Sequence, residues 1–134
     1  MKNNPSDFLK TVYFGDRACK AVCINTWDSK IKIQIDLISR IRSESGNWDF
    51  YKDEDIENGF LVFAKVKYFS MKPEGLLPND LINSVSVEVD DQEGFWIFKL
   101  GIDSADENGC SEEVQVRIVA ESVSIETNDG LAIT

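Results

Sequence analysis

The sequence contains no histidine. That removes the Ser-His and Cys-His nucleophile pairs, the commonest general base and the commonest metal ligand together. Of the three cysteines, Cys19 and Cys23 stand four apart. On a strand that spacing puts them on one face but about 13 Å apart, too far to bridge. A zinc site would need Cys110 and a carboxylate to complete it, without the paired knuckles that structural zinc uses. The three thiols therefore read as small core or boundary residues.

The remaining chemistry lies in the carboxylates, 24 Asp and Glu against 14 Lys and Arg. Asp103, Asp106, Glu107, Asn108 and Gly109 suggest a calcium loop. With Gly109 as the sixth position of an EF-hand loop, Ser104 is the first and Gln115 the twelfth. The motif needs Asp and a bidentate Glu there, so it fails. A sandwich gathering several acidic loops at one end, in the manner of a calcium-dependent C2-like module, would offer Asp53, Asp55, Asp90, Asp91, Asp103 and Asp106 as donors; solvated turns are the plainer reading. Glycoside hydrolysis needs two acids held roughly 5–9 Å apart in a cleft, and nothing singles out such a pair. There is no Gly-rich phosphate loop and no GxSxG. The expectation is a protein that is not an enzyme and carries no cofactor or metal.

The elements that must position these residues are strands. Ile31, Ile33, Ile35 and Leu37 alternate with Lys30, Lys32, Gln34 and Asp36, a half-buried strand. Lys20–Trp27 precedes it across Asp28-Ser29 and predicts a tight hairpin. Ser6 or Asp7 caps a short helix that Gly15 closes, with a strand over 11–14 as the rival. Phe60–Phe69 reads as one strand with Phe60, Val62, Ala64, Val66 and Tyr68 on one face. The loop 71–80 holds Pro73, Gly75 and Pro78. Strands follow over Val85–Val89, Phe95–Ile102 and Val114–Ala120. The apolar phase then shifts from even positions to Val123 and Ile125, which requires a bulge or turn near Glu121. Asp129-Gly130 signals a last hairpin. The sum is a single mostly β domain over 1–134. It is an antiparallel β-sandwich or partly open barrel of about seven to eight strands, with at most one or two short helices.

With 43% hydrophobic and 28% charged residues, the chain can bury a core without staples. Net charge is −10, which argues against nucleic acid as a partner because phosphates demand Lys and Arg. Residues 1–42 carry +4 and residues 43–134 carry −14, an asymmetry suited to a basic partner. No apolar run approaches the length that spans a membrane, no signal peptide is visible, and an odd cysteine count suits a reducing compartment. A cytoplasmic protein, monomer or weak homodimer, is expected. Trp96 belongs to a strand's apolar face, Trp27 stands beside a turn, and Trp48 sits with Phe50 and Tyr51 in a polar loop. Arg17, Arg40 and Arg42 either pair internally with Asp16, Asp36 or Asp49 or receive an anion.

Three segments, Tyr13-Phe14-Gly15-Asp16-Arg17, Ser39-Arg40-Ile41-Arg42 and Leu77-Pro78-Asn79-Asp80, give the chain the look of small bacterial single-domain proteins. It resembles immunity proteins of polymorphic-toxin and contact-dependent growth inhibition systems in being short and acidic and in lacking a catalytic motif. The resemblance implies binding to a toxin domain, a basic nuclease in the sharpest form, and neutralisation by blocking its active site. Opposite fields on the two partners speed such association. The acids that would face the toxin are Asp53, Glu54, Asp55 and Glu57, then Asp90, Asp91 and Glu93, then Asp103, Asp106 and Glu107, with Trp48 and Tyr51 as packed anchors. The rival classes are the C2-like calcium module and a non-catalytic structural or regulatory protein-binding domain.

Overall fold

The structure, a computed structural model, describes residues 4–40 and 54–133, and only the backbone of Arg40, Glu54 and Ile133. The chain opens with helix α1 (Pro5–Lys10). Its N-cap is Asn4, whose side chain accepts from the Ser6 N–H at 2.8 Å. Proline has no N–H to lose and its fixed φ suits the first helical position, so the cap falls one residue before Pro5 rather than on Ser6 or Asp7. The helix stops at Lys10, leaving Val12–Tyr13 to form strand β1.

Strands β2 (Cys19–Asn25) and β3 (Lys30–Ile35) form a hairpin whose last pair is Asn25 with Lys30. The loop is thus the four residues Thr26–Ser29 and not Asp28-Ser29 alone. The Asn25 side chain accepts from the Asp28 N–H, and Ser29 takes φ +54°. Ile31, Ile33 and Ile35 are buried, as their period-two spacing predicts. The chain breaks at Asp36, and β4 (Leu37–Arg40) joins β1 and β5 (Glu54–Glu57) in a small sheet of order β1-β4-β5.

The strand expected over Phe60–Phe69 is two strands in two sheets. Strand β6 (Phe60–Ala64) ends at Lys65, which takes φ +54°, and β7 (Tyr68–Lys72) begins beyond it. The core face of β6 is set by Leu61 and Phe63, the odd positions, and Val62 is buried as well. With three successive residues dry, alternation carries no phase.

Strands β8 (Ile82–Val89), β9 (Trp96–Ala105) and β10 (Ser111–Ala120) form the antiparallel sheet β7-β10-β9-β8. At Glu121 the chain leaves it. Strand β11 (Ser122–Glu126) belongs to the five-stranded sheet β12-β11-β6-β3-β2, with β12 (Ala132–Ile133) at its far edge. The phase shift near Glu121 thus marks a change of sheet, and the Glu121 N–H donates to the Ala64 carbonyl at the corner.

The two larger sheets share one core. Ile33, Leu61 and Phe63 from one meet Phe98, Leu100, Ile102, Val114, Val116 and Ile118 from the other. Phe63 and Phe98 pack edge to face at 5.0 Å between ring centroids. One isolated bridge, Ala18–Leu81, ties the chain just before β2 to the start of β8, and no continuous ladder closes a barrel among the described residues. The architecture is mostly β and sandwich-like with one short helix. Twelve strands are present among the described residues. The excess over eight comes from the breaks at Asp36 and Lys65 and from the short strands β1 and β5. No described helix is long and apolar enough to cross a membrane.

Candidate functional site

Hydrogen bonds bring several acidic segments to one end of the sheets. Asp36 donates its N–H to the Ala18 carbonyl at 3.0 Å, and its carboxylate accepts from the N–H groups of Ala18 and Leu37 at 2.9 Å each. The Cys19 N–H reaches the Asp80 carbonyl at 3.0 Å, and the Asp80 N–H reaches the Asp103 carbonyl at 2.9 Å. Asp103 donates its own N–H to the Leu81 carbonyl at 2.9 Å. From the other side the Asn58 N–H donates to the Asp36 carbonyl at 3.0 Å, placing Glu57 next to the same junction. The backbone at Asp36, Glu57, Asp80 and Asp103 is therefore gathered from four separate stretches of chain, with Lys20 beside it donating its ammonium to Asn58 Oδ1 at 2.8 Å.

Asp103 lies opposite Glu113 in the β9–β10 ladder. The Asn83 amide donates to Asp103 Oδ1 at 2.6 Å and to Glu113 Oε2 at 2.9 Å, and Gln115 donates to the other Glu113 oxygen. Like charges directly across a ladder repel, and one side-chain amide between them offsets that. The geometry depends on Gly101, because a Cβ there would stand 2.8 Å from Glu113 Oε1 and 2.7 Å from Ser84 Oγ. Asn79 clamps the same end: its amide exchanges hydrogen bonds with the N–H and carbonyl of Ala105, at 2.8 and 3.1 Å. Asp106 accepts from the N–H groups of Asn108 and Cys110 at 2.9 Å each and so closes the β9–β10 turn. Glu57 and Glu107 are exposed, Asp80 is half-buried, and none of the three has a side-chain partner among the described residues.

The acids of the β8–β9 turn lie elsewhere. Val89 faces Trp96 at one end of the ten-residue β9, and Ser111 faces Ala105 at its other end. The length of β9, about 30 Å at 3.3 Å per residue, separates Asp90, Asp91 and Glu93 from Asp103, Asp106 and Glu107. The two turns cannot ligate one cation together, and no described group of three or more His, Cys, Asp or Glu side chains is placed to hold a metal ion. Asp90 is engaged locally, with Lys67 Nζ at 2.6 Å, and Lys67 also donates to Gln92 and lies over the Phe95 ring. The Lys67 hydrogen bond holds the Asp90 carboxyl below its ordinary 3.8, against the opposing effect of desolvation.

Trp48, Tyr51 and Asp53 lie outside the described residues, as do Arg42 and Asp49. Glu54 is described only as the β5 residue opposite Arg40. Asp55 turns toward the small sheet: Arg17 Nη2 donates to Ser39 Oγ at 3.0 Å, and Ser39 donates to Asp55 Oδ1 at 2.7 Å. The Tyr13 ring lies 5.1 Å from the Arg17 guanidinium carbon, and it folds over Gly15, where a Cβ would collide with the phenol oxygen. The Tyr13–Arg17 segment is thus an internal brace, with Ser39 relaying Arg17 to an acid not among the three expected for it. The site residues that sequence reasoning misses are Asp36, Asp80, Asn83 and Glu113. Asp80 stands in Leu77-Pro78-Asn79-Asp80 and Asp36 among the possible arginine partners, yet nothing in type or spacing marks either as part of an acidic site.

A mostly β, sandwich-like domain with a carboxylate-rich pole is the class that fold and geometry define. Over residues 1–134 the chain matches a family described as a family of unknown function, DUF6258, and it belongs to that family. No curated protein and no solved structure matches it.

Proposed function

We propose that this chain is an immunity-type inhibitor. It is an acidic, non-catalytic cytoplasmic protein that binds a basic toxin domain and covers its active site. The observation that carries the reading is the convergence of Asp36, Glu57, Asp80 and Asp103 from four segments onto one end, with Asp106 and Glu107 in the adjoining turn. A concentrated field of this kind steers a basic partner into encounter. Carboxylates pressed against a nuclease's Arg and Lys occupy the places its substrate's phosphates need. Glu57, Asp80 and Glu107, which have no side-chain partner among the described residues, make those contacts. Asp36, Asp103 and Asp106 hold the scaffold while adding to the field.

The test is co-purification with the product of the adjacent upstream gene in the encoding genome. A stoichiometric complex that survives moderate salt supports the inhibitor. Changing Glu57, Asp80 and Glu107 together to Lys should lower the affinity roughly a hundredfold and flatten its salt dependence. An unchanged affinity in that variant, or no complex with the neighbouring product, removes the reading.

A further inference from the structure

We propose that the outer edge of β2 is a second docking site, for an extended segment of another protein that carries an apolar anchor flanked by carboxylates. Strand β2 is the last strand of the five-stranded sheet. Its first residues are occupied, since Ala18 bridges Leu81 and Cys19 bonds Asp80. From Ala21 to Asn25 no strand lies on its outer side among the described residues. Natural sheets blunt such edges with Lys, Pro or a bulge. Here the bulge and Lys20 sit at the protected end, between Cys19 and Ala21, and Ala21-Val22-Cys23-Ile24-Asn25 runs on without any of these devices.

Large apolar side chains stand around that edge in water. Trp27 at the hairpin tip is 94% exposed, Ile24 is 52% and Tyr68 is 50%. A groove of about 240 Å³ separates β2 from the start of β7, lined among others by Ile24, Ile31, Val66, Tyr68 and Phe69. A free ladder edge beside an apolar groove is the arrangement by which a sheet accepts an added strand. Main-chain hydrogen bonds then supply affinity, and alternate side chains enter the groove.

Charge decides the occupant. The groove's only charged lining residues are Lys30 and Lys67; Lys67 is paired with Asp90, and Lys30 has no partner among the described residues. On the other flank of the hairpin Lys32 is paired with Glu126 at 2.7 Å and Asp28 stands beside it, while the exposed Lys65 follows β6 close by. On a chain of net charge −10, this edge presents Lys30 and Lys65, unpaired among the described residues, beside apolar surface. A second copy would pair β2 with β2 about a twofold axis, and Ala21–Asn25 carry no carboxylate to meet Lys30. The fitting segment is extended, acidic at its flanks and apolar at its centre.

The experiment titrates the full isotope-labelled chain with two synthetic peptides that share alternating Val and Thr around one Phe. They differ only at the flanks, Glu in one and Lys in the other. The Glu-flanked peptide should bind roughly tenfold more tightly, with amide shifts concentrated on Ala21–Asn25 and on the Trp27 indole. Lys30→Glu should reverse the preference. Trp27→Ala should weaken binding and leave the melting temperature in place, because the ring touches little of the fold. Equal affinity for the two peptides, no binding of either, or shifts centred on β8 would overturn the proposal. So would concentration-dependent protection of β2 without peptide, which would make a second copy the occupant.

Discussion

Ser39 is 1% exposed and is the only buried polar side chain among the described residues. It accepts from Arg17 and donates to Asp55, so it is the joint between the Tyr13–Arg17 segment and β5. Ser39→Ala leaves both partners short of a bond and should cost about 1–3 kcal/mol in urea unfolding. A value within error of zero would show that the brace is decorative. The cysteines make a second check at this scale. Burial pushes the Cys19 thiol up to about 11, with a backbone hydrogen bond at Ala21 opposing the rise and the Cys23 charge adding to it. Cys23 and Cys110 are exposed. Alkylation near neutral pH should therefore label Cys23 and Cys110 and spare Cys19 until the chain unfolds. Labelling of all three at one rate in the folded chain would contradict that burial. The brace itself is only half legible in sequence. A charged residue among aromatics in Tyr13–Arg17 announces an internal role for Arg17, but the relay through Ser39 joins residues 22 and 16 apart, which no local spacing reports.

The elements whose alternation is clear are those with one dry face and one wet face. Strand β3 buries Ile31, Ile33 and Ile35, and β10 buries Val114, Val116 and Ile118, all as their spacing predicts. Strand β6 defeats the same reasoning because Leu61, Val62 and Phe63 are all buried, so Phe60–Phe69 looks continuous and its phase cannot be read. The break after β6 is a backbone event at Lys65, a residue type that does not advertise a left-handed conformation. Lys65→Val, a β-branched residue at positive φ, should destabilise the fold by about 1–3 kcal/mol, whereas Lys65→Gly should be tolerated. Thermal melts of the two variants side by side check this, and equal melting temperatures would place the strain elsewhere. The corner at Glu121 is legible because the apolar phase changes there, and a strand cannot face two ways.

At the scale of the molecule, the acids that sequence reading groups by proximity in the chain divide between two poles. Loops close in sequence land at opposite ends of β9, and Asp36 and Asp80, far apart in sequence, meet through the Ala18–Leu81 junction. Topology makes that pole, so local patterning supplies only part of it. The two engaged acids of the β8–β9 region shape the acid limb of stability. Hydrogen bonds from Lys99 and Lys67 hold the carboxyls of Glu88 and Asp90 below their ordinary 4.5 and 3.8. A lowered folded pKa stabilises above the unfolded value, and that contribution is lost as pH falls through the folded one. Asp90→Asn should therefore flatten the fall in melting temperature from about pH 5 downward, and an unaltered acid limb would mean that the Lys67 pair contributes nothing in solution.

The central claim is that the pole around Asp36, Glu57, Asp80 and Asp103 neutralises a basic toxin. The most direct measurement is the survival of cells that express the neighbouring gene's toxin domain together with this chain. Wild-type chain and the Trp27→Ala variant should both protect, and the chain with Glu57, Asp80 and Glu107 changed to Lys should fail while remaining folded. Full protection by the lysine variant, or no protection by the wild type, would contradict the account.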